Sequence, residues 1–259
     1  MPFAVPPSIT TRKPLSCERV KVNWEHPLNK GLVAWWLANE ENANSIKDLC
    51  FGPSHLATCS VGAWGVGTPL GMMVQLTDVT SKYFDAGLAA DFHITGGLTL
   101  AADFTADDLA ETANAGIVAR FVTTGNQRCY SLLLAHAVSP LVINFGVSSL
   151  GTSASAVYVL GTTTIGSNTF YRTVGVYVPS TSLTLYLDGK QEAVNITSIP
   201  ANIYDSATAH LWIGAQASAT GRLNGKIGNI QIWNRALTPQ EVALYYKNPY
   251  GTPDNPRLI

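Results

Sequence analysis

Between residues 223 and 246 (LNGKIGNIQIWNRALTPQEVALYY) the hydrophobic period changes once, and that change limits what the chain can fold into. In the first half Ile230 and Ile232 fall on one face while Asn229, Gln231 and Trp233 fall on the other, the period of two of a half-buried strand. In the second half Thr238, Pro239, Gln240 and Glu241 read as N-cap, N1, N2 and N3 of a helix. The Thr238 hydroxyl can accept from the Glu241 amide while the Glu241 carboxylate reaches back to the cap. Val242, Leu244, Tyr245 and Tyr246 give the next turns an apolar side, and Pro249 and Gly251 stop them. A closing strand with a short capped helix folded onto it is the simplest account.

The rest of the chain reads as many short strands. Residues 31–37 (GLVAWWL) are apolar throughout, as in a strand buried on both sides. Further strands are expected at 56–59, 72–76, 98–104, 116–122, 129–135, 141–147 and 156–160, each bounded by Gly, Asn, Ser or Pro. Residues 39–45 and 107–114 read as loops, and Tyr83 and Phe84 as the start of a turn. In residues 173–188 a four-residue loop at 179–182 would set Val178 opposite Leu183, Val176 opposite Leu185 and Val174 opposite Leu187, with Gly175 opposite Tyr186. No 20–50-residue repeat is present. The pattern predicts an all-β, two-sheet antiparallel jelly-roll sandwich over residues 31–259 with a short C-terminal helix.

Residues 1–30 differ in composition. Pro2, Pro6, Pro7 and Pro14 exclude a helix and favour an extended arm. Its apolar Phe3, Val5, Ile9 and Leu15, with Arg12 and Lys13, are the candidate contacts to partner chains, because an arm without periodic apolar residues becomes ordered only in a groove that something else supplies. The same segment has no apolar core of a signal peptide, and no stretch reaches the ~18 apolar residues of a membrane span. Sixteen basic and seventeen acidic residues leave a net charge of −1, which implies no nucleic-acid partner. Charged residues make up 13%, against roughly 25% in typical soluble domains. Either neighbouring subunits cover the surface, or it is built from Ser, Thr, Asn and Gly. Cys17, Cys50, Cys59 and Cys129 follow no metal-binding spacing, and reduced thiols are expected, although Cys50 and Cys59 could close a loop.

Four segments carry a family resemblance in order: GLVAWWL at 31–37, LTLYLDGK at 183–190, LWIG at 211–214, and the closing strand and helix with its NRAL. Together they resemble laminin-G-like jelly rolls of the concanavalin A-like lectin/glucanase superfamily, which hosts lectins, hydrolases, adhesion modules and viral structural proteins. Residues 24–37 (WEHPLNKGLVAWWL) are also similar to the start of laminin-G-like proteins in tailed-phage particles. That resemblance implies a non-catalytic virion subunit, a capsid decoration or tail protein assembled in the host cytoplasm. Its partners would be other capsid subunits or further copies of itself. The alternative is a carbohydrate-binding adhesion module, and the two roles are compatible.

The family's glycosidases carry alternating acids on one strand. Here the nearest acids, Asp103, Asp107, Asp108 and Glu111, do not share a strand face, so no enzyme activity is expected. Many relatives bind Ca²⁺ with acids at the positions of Gly228 and Asn229 here. No cofactor is therefore expected; Asp48, Asp78 and Asp188 remain as oxygen donors that turns and caps account for equally well. Sugar recognition needs exposed aromatic platforms beside polar partners. The candidates are Trp64 in a Gly-rich loop, His210 and Trp212 (out of phase with Leu211 and Ile213), and Asn229 and Gln231 on the outer phase of the last strand.

Overall fold

The period change at 223–246 resolves into a nine-residue strand, Gly225–Trp233, and a nine-residue helix, Pro239–Lys247. In this computed structural model the described residues are 13, 20–40, 42–69, 71–77, 82–109, 114–136, 140–217 and 220–259. In chain order the first strands are β1 (Leu32–Trp36), β2 (Asn42–Asp48), β3 (Gly52–Thr68), β4 (Gly71–Leu76), β5 (Phe84–Gly87) and β6 (Leu98–Phe104). Then come β7 (Ala115–Val122), β8 (Gln127–Ala135), β9 (Val142–Ser148), β10 (Ala156–Leu160), β11 (Tyr171–Val178) and β12 (Ser182–Leu187). The last are β13 (Lys190–Asn195), β14 (Leu211–Ile213), β15 (Ala215–Ala217), β16 (Thr220–Arg222), β17 (Gly225–Trp233), the helix α1 (Pro239–Lys247), and a terminal pair, β18 (Gly251–Thr252) and β19 (Asn255–Pro256).

These strands form an antiparallel jelly roll. One layer runs β10–β9–β8–β7–β14–β5 and the other β13–β12–β11–β6–β17–β1, with β2 and β3 carrying the hydrogen-bond ladder between them. Between the layers lie Trp36, Phe84, Phe92, Phe104, Leu132, Phe145, Leu185, Ile213, Ile230 and Ile232, all buried. A Cβ on Gly175 would run into the ring of Phe145, so a glycine there lets β11 pack against β9 across the core. A second apolar cluster covers the far face of the second layer: Trp35, Val174, Val176, Tyr186, Trp233, Leu237, Val242 and Tyr245. Each such side chain contributes about 1.5–3 kcal/mol on burial.

That second cluster corrects the register read from sequence. Val178 pairs with Ser182, Tyr177 with Leu183, Gly175 with Leu185 and Val174 with Tyr186. The connection is the three residues 179–181, with Ser180 at φ 55°. Valines of β11 face α1 while leucines of β12 face the sandwich core, so apolar residues on both faces made two registers look equivalent. Two expected loops are also strands. Residues 42–48 (NANSIKD) form β2 although polar, and the Gly-rich stretch around 62–67 belongs to the 17-residue β3, paired with β4.

The helix begins as its sequence requires. Thr238 Oγ1 accepts from the Glu241 amide at 3.2 Å, and Glu241 Oε2 accepts from the Thr238 amide at 2.8 Å. Arg235 then clasps the same carboxylate from Nη1 and Nη2 at 2.9 and 2.8 Å. Thr238→Ala should therefore lower stability by about 0.5–2 kcal/mol; an unchanged denaturant midpoint would show that the cap is dispensable.

Part of the expected arm lies among the described residues. Lys21 N donates to Ile259 O at 2.6 Å, Asn23 N to Arg257 O at 2.9 Å, and Val22 bridges Leu258, so residues 20–30 pack on the chain's own C-terminal tail. Lys13, expected at a partner, is buried on this chain with Nζ donating to the carbonyls of Met72 and Ala38. Phe3, Val5, Ile9, Arg12 and Leu15 lie outside the described residues. Cys50, Cys59 and Cys129 form no disulfide with one another.

Candidate functional site

Three strands of the first layer and its edge set one row of side chains across the sheet. Thr58 of β3 pairs with Asp85 of β5, and Asp85 with Trp212 of β14; paired residues project to the same face. β14 is only three residues long, and its flanking Leu211 and Ile213 are fully buried in the core, which turns Trp212 outward. Tyr83, just before β5, meets the Trp212 ring edge-on at 5.3 Å, and His210 stacks on the same ring at 5.5 Å with the planes 15° apart.

His210 Nδ1 donates to both Asp85 carboxylate oxygens at 2.9 Å, and the Gly87 amide donates to Asp85 Oδ1 at 2.7 Å. The carboxylate thus fixes the imidazole against the indole. Thr58, Cys59, Tyr83, Asp85 and Trp212 line an open pocket of about 220 Å³. Arg222 lies 5.9 Å above the Tyr83 ring. Trp212 Nε1 is buried and has no acceptor among the described residues. An unsatisfied buried donor costs about 1–3 kcal/mol.

Of the residues singled out in the sequence, His210 and Trp212 are brought together here. Tyr83 and Asp85 were missed. Their signal is the alternation YFDA at 83–86, in which Phe84 and Ala86 are buried. Trp64 does not occupy a loop tip, since its backbone pairs with Gln75 and Asn42 inside β3; its side chain lies outside the described residues.

Asn229 and Gln231 do lie opposite Ile230 and Ile232, but α1 and the C-terminal tail cover them, so they are not ligand-facing. Asn229 Oδ1 accepts from Trp35 Nε1 at 3.0 Å and Gln231 Nε2 at 2.8 Å, and Gln231 Oε1 accepts from Arg257 Nη2 at 2.8 Å. Arg257 is fully buried with its guanidinium 4.5 Å from the Trp35 ring. Burial pulls it down to about 9. Beside it Arg172 Nε and Nη2 donate to Asp103 Oδ1 and Oδ2, both at 2.6 Å. Burial opposes the Arg172 charge, but Asp103 outweighs it and holds the guanidinium above its ordinary value.

The remaining acids are also engaged. Asp107 accepts from Lys226 Nζ at 2.8 Å, Gln75 Nε2 at 3.0 Å and Thr105 Oγ1 at 2.8 Å. Burial would raise its carboxyl, but these donors hold it below the ordinary value. Asp48 and Asp188 serve the backbone: Asp48 Oδ1 accepts from Trp35 N at 2.7 Å, and Asp188 Oδ1 from Arg172 N at 2.9 Å. Asp78 and Glu111 lie outside the described residues. Among the described residues, no three His, Cys, Asp or Glu side chains are grouped to hold a metal ion. No described helix is long and apolar enough to cross a membrane.

Residues 78–243, more than half of the chain, match the family described as the Concanavalin A-like lectin/glucanases superfamily. The chain belongs to that superfamily. Among solved structures it is similar to the binding domain of Paraclostridial Mosquitocidal Protein 1 (TM-score 0.68, 12% identity), covering 87% of this chain and 54% of that one. It is also similar to the receptor binding domain of botulinum neurotoxin mosaic serotype C/D (TM-score 0.62, 10% identity, 85% and 51% covered). A third likeness is to Trypanosoma rangeli sialidase (TM-score 0.60, 17% identity, 85% and 33% covered). The superfamily member thus spans about half of each toxin structure and a third of the sialidase, and at these identities the likeness is one of fold. No curated protein sequence matches the chain.

Proposed function

We propose that this superfamily member is a non-catalytic, lectin-like module that seats a carbohydrate in the pocket of Thr58, Tyr83, Asp85 and Trp212. The observation that carries the reading is the Trp212 indole, which lines the open pocket and whose N–H has no acceptor among the described residues. A pyranose has apolar faces and hydroxylated edges. The Tyr83 and Trp212 rings offer apolar surface, while Asp85 and Thr58 offer polar partners. Support for a binding role without hydrolysis comes from the acids: Asp103 is buried in its pair with Arg172, and Asp107 is held by Lys226. Neither is free to protonate a leaving group.

Affinities for a panel of mono- and oligosaccharides, measured by calorimetry, test this. Trp212→Phe keeps a packed ring but removes the N–H, and should weaken binding about 5–10-fold, in line with one hydrogen bond of about 1 kcal/mol. Tyr83→Ala should abolish it. Full affinity in both variants, with the fold intact, would contradict the reading.

The finer part of the proposal is a virion setting, with residues 1–12 attaching the domain to other capsid subunits. Its support is the proline-rich composition of that segment and the resemblance of residues 24–37 to phage-particle proteins. Deletion of residues 1–12 should leave folding unchanged and abolish co-sedimentation with assembled particles; full incorporation of the truncated protein would overturn it.

A further inference from the structure

His55 lies 2% exposed at the start of β3, with a carboxylate at each ring nitrogen. Nδ1 is 2.9 Å from Asp48 Oδ2 and Nε2 is 3.0 Å from Asp91 Oδ2. A neutral imidazole has one N–H, so only one of these contacts could then be a hydrogen bond; the other would set a nitrogen lone pair against an oxygen that only accepts. Both contacts are satisfied together by the imidazolium. The ring also packs against Phe51 at 4.9 Å and Phe92 at 4.7 Å.

The two carboxylates differ in what else holds them. Asp48 is fully buried and accepts from the amides of Trp35, Cys50 and Phe51 as well, at 2.7, 3.0 and 3.3 Å. Asp91 is 46% exposed at its side chain and sits on a single 3₁₀ turn, Ala90–Phe92, between β5 and β6. The other titratable group facing this cluster is the Cys50 thiol, which burial pushes well up and which sits against Asp48, with the Arg257 charge beyond it.

From this asymmetry we propose that His55 is a pH-operated latch, which as an imidazolium ties the 3₁₀ turn Ala90–Phe92 to the β2–β3 hairpin and on losing a proton releases Asp91. Nδ1–H stays on Asp48, whose buried charge needs it, and the exposed Asp91 turns to water. The direction of titration agrees. Burial lowers the imidazole, but the bond and charge of Asp48, with those of Asp91, outweigh it and leave it above its ordinary value. A raised folded-state value means the stabilisation is complete below the ordinary ~6.5 and is lost as pH rises through the folded value.

Two readouts on the intact protein test this. In ¹⁵N spectra at pH 6 both His55 ring nitrogens should carry protons, and raising the pH should deprotonate Nε2 alone. In hydrogen exchange, corrected for its intrinsic pH dependence, protection of the Phe92 and His93 amides should fall through the same transition, because they donate to Ala89 O and Ala90 O within the latched turn. Asp91→Asn, at a half-exposed position, should remove that extra fall while leaving the fold intact. An unprotonated His55 nitrogen at pH 6 would overturn the latch, as would protection at Phe92 and His93 that shows no additional pH dependence or keeps it in the Asp91→Asn protein.

Discussion

Asp103→Ala should cost about 3–5 kcal/mol, because it strands the Arg172 guanidinium in the interior. Both side chains are nearly inaccessible, at 3% and 2%, so no solvent replaces the lost partner. The Arg172 bond to Tyr246 O at 3.1 Å satisfies one donor but not the charge. The pair also joins β6 and β11, whose residues 103 and 172 are register partners. Asp103→Ala combined with Arg172→Met should recover much of the loss, since an apolar replacement of a buried pair is often near neutral. Equilibrium unfolding in denaturant reads both. A single-variant cost below about 1 kcal/mol, or a double variant no better than the single, would contradict this account of the interior.

Trp233→Ala should be as damaging, at about 3–5 kcal/mol, through the cavity it opens. Its ring packs edge-on against Tyr245 of α1 at 5.8 Å and lies 5.7 Å from the Arg257 guanidinium. Its Nε1 donates to Leu28 O at 2.7 Å. One side chain therefore holds the closing strand to the helix, to the tail and to residues 27–29. Limited proteolysis should show the segment after Trp233 cut far faster than in the parent protein. Equal proteolysis, or a loss below 1.5 kcal/mol, would show that α1 docks by other means.

The closing strand and its helix were legible because each local rule agreed with the next: alternation to Trp233, then a capping box that is fully formed. Strands with clear bounds, such as Leu98–Phe104 and Ala156–Leu160, were legible too. Where sheet faces are apolar on both sides the signal degenerates, which is why β11–β12 slipped by one residue. β2 was hidden for the opposite reason: most of its side chains are polar, and its place is set by Asp48 reaching the backbone of β1 and the turn after it.

The site was half legible. The phase of LWI places Trp212 on the outer face, but nothing local says that β14 lies beside β5, a pairing across some 125 residues that brings Asp85 to His210. The polar phase of β17 misled in turn. Asn229 and Gln231 are polar because they meet Trp35, Tyr245 and Arg257 beneath a covering layer, and a strand's own pattern does not distinguish a polar interior from solvent.

The central claim, carbohydrate binding at Trp212, is tested most directly by titrating protein labelled with ¹⁵N at its tryptophan indoles with an oligosaccharide that it retains. The Trp212 Nε1–H resonance should move in a saturable way as the donor gains its acceptor. Those of Trp35, Trp36 and Trp233, already bonded to Asn229, His55 and Leu28, should stay in place. Saturable binding that leaves the Trp212 resonance unmoved would contradict the assignment of the site, and no retention of any glycan across a broad panel would contradict the lectin-like reading itself.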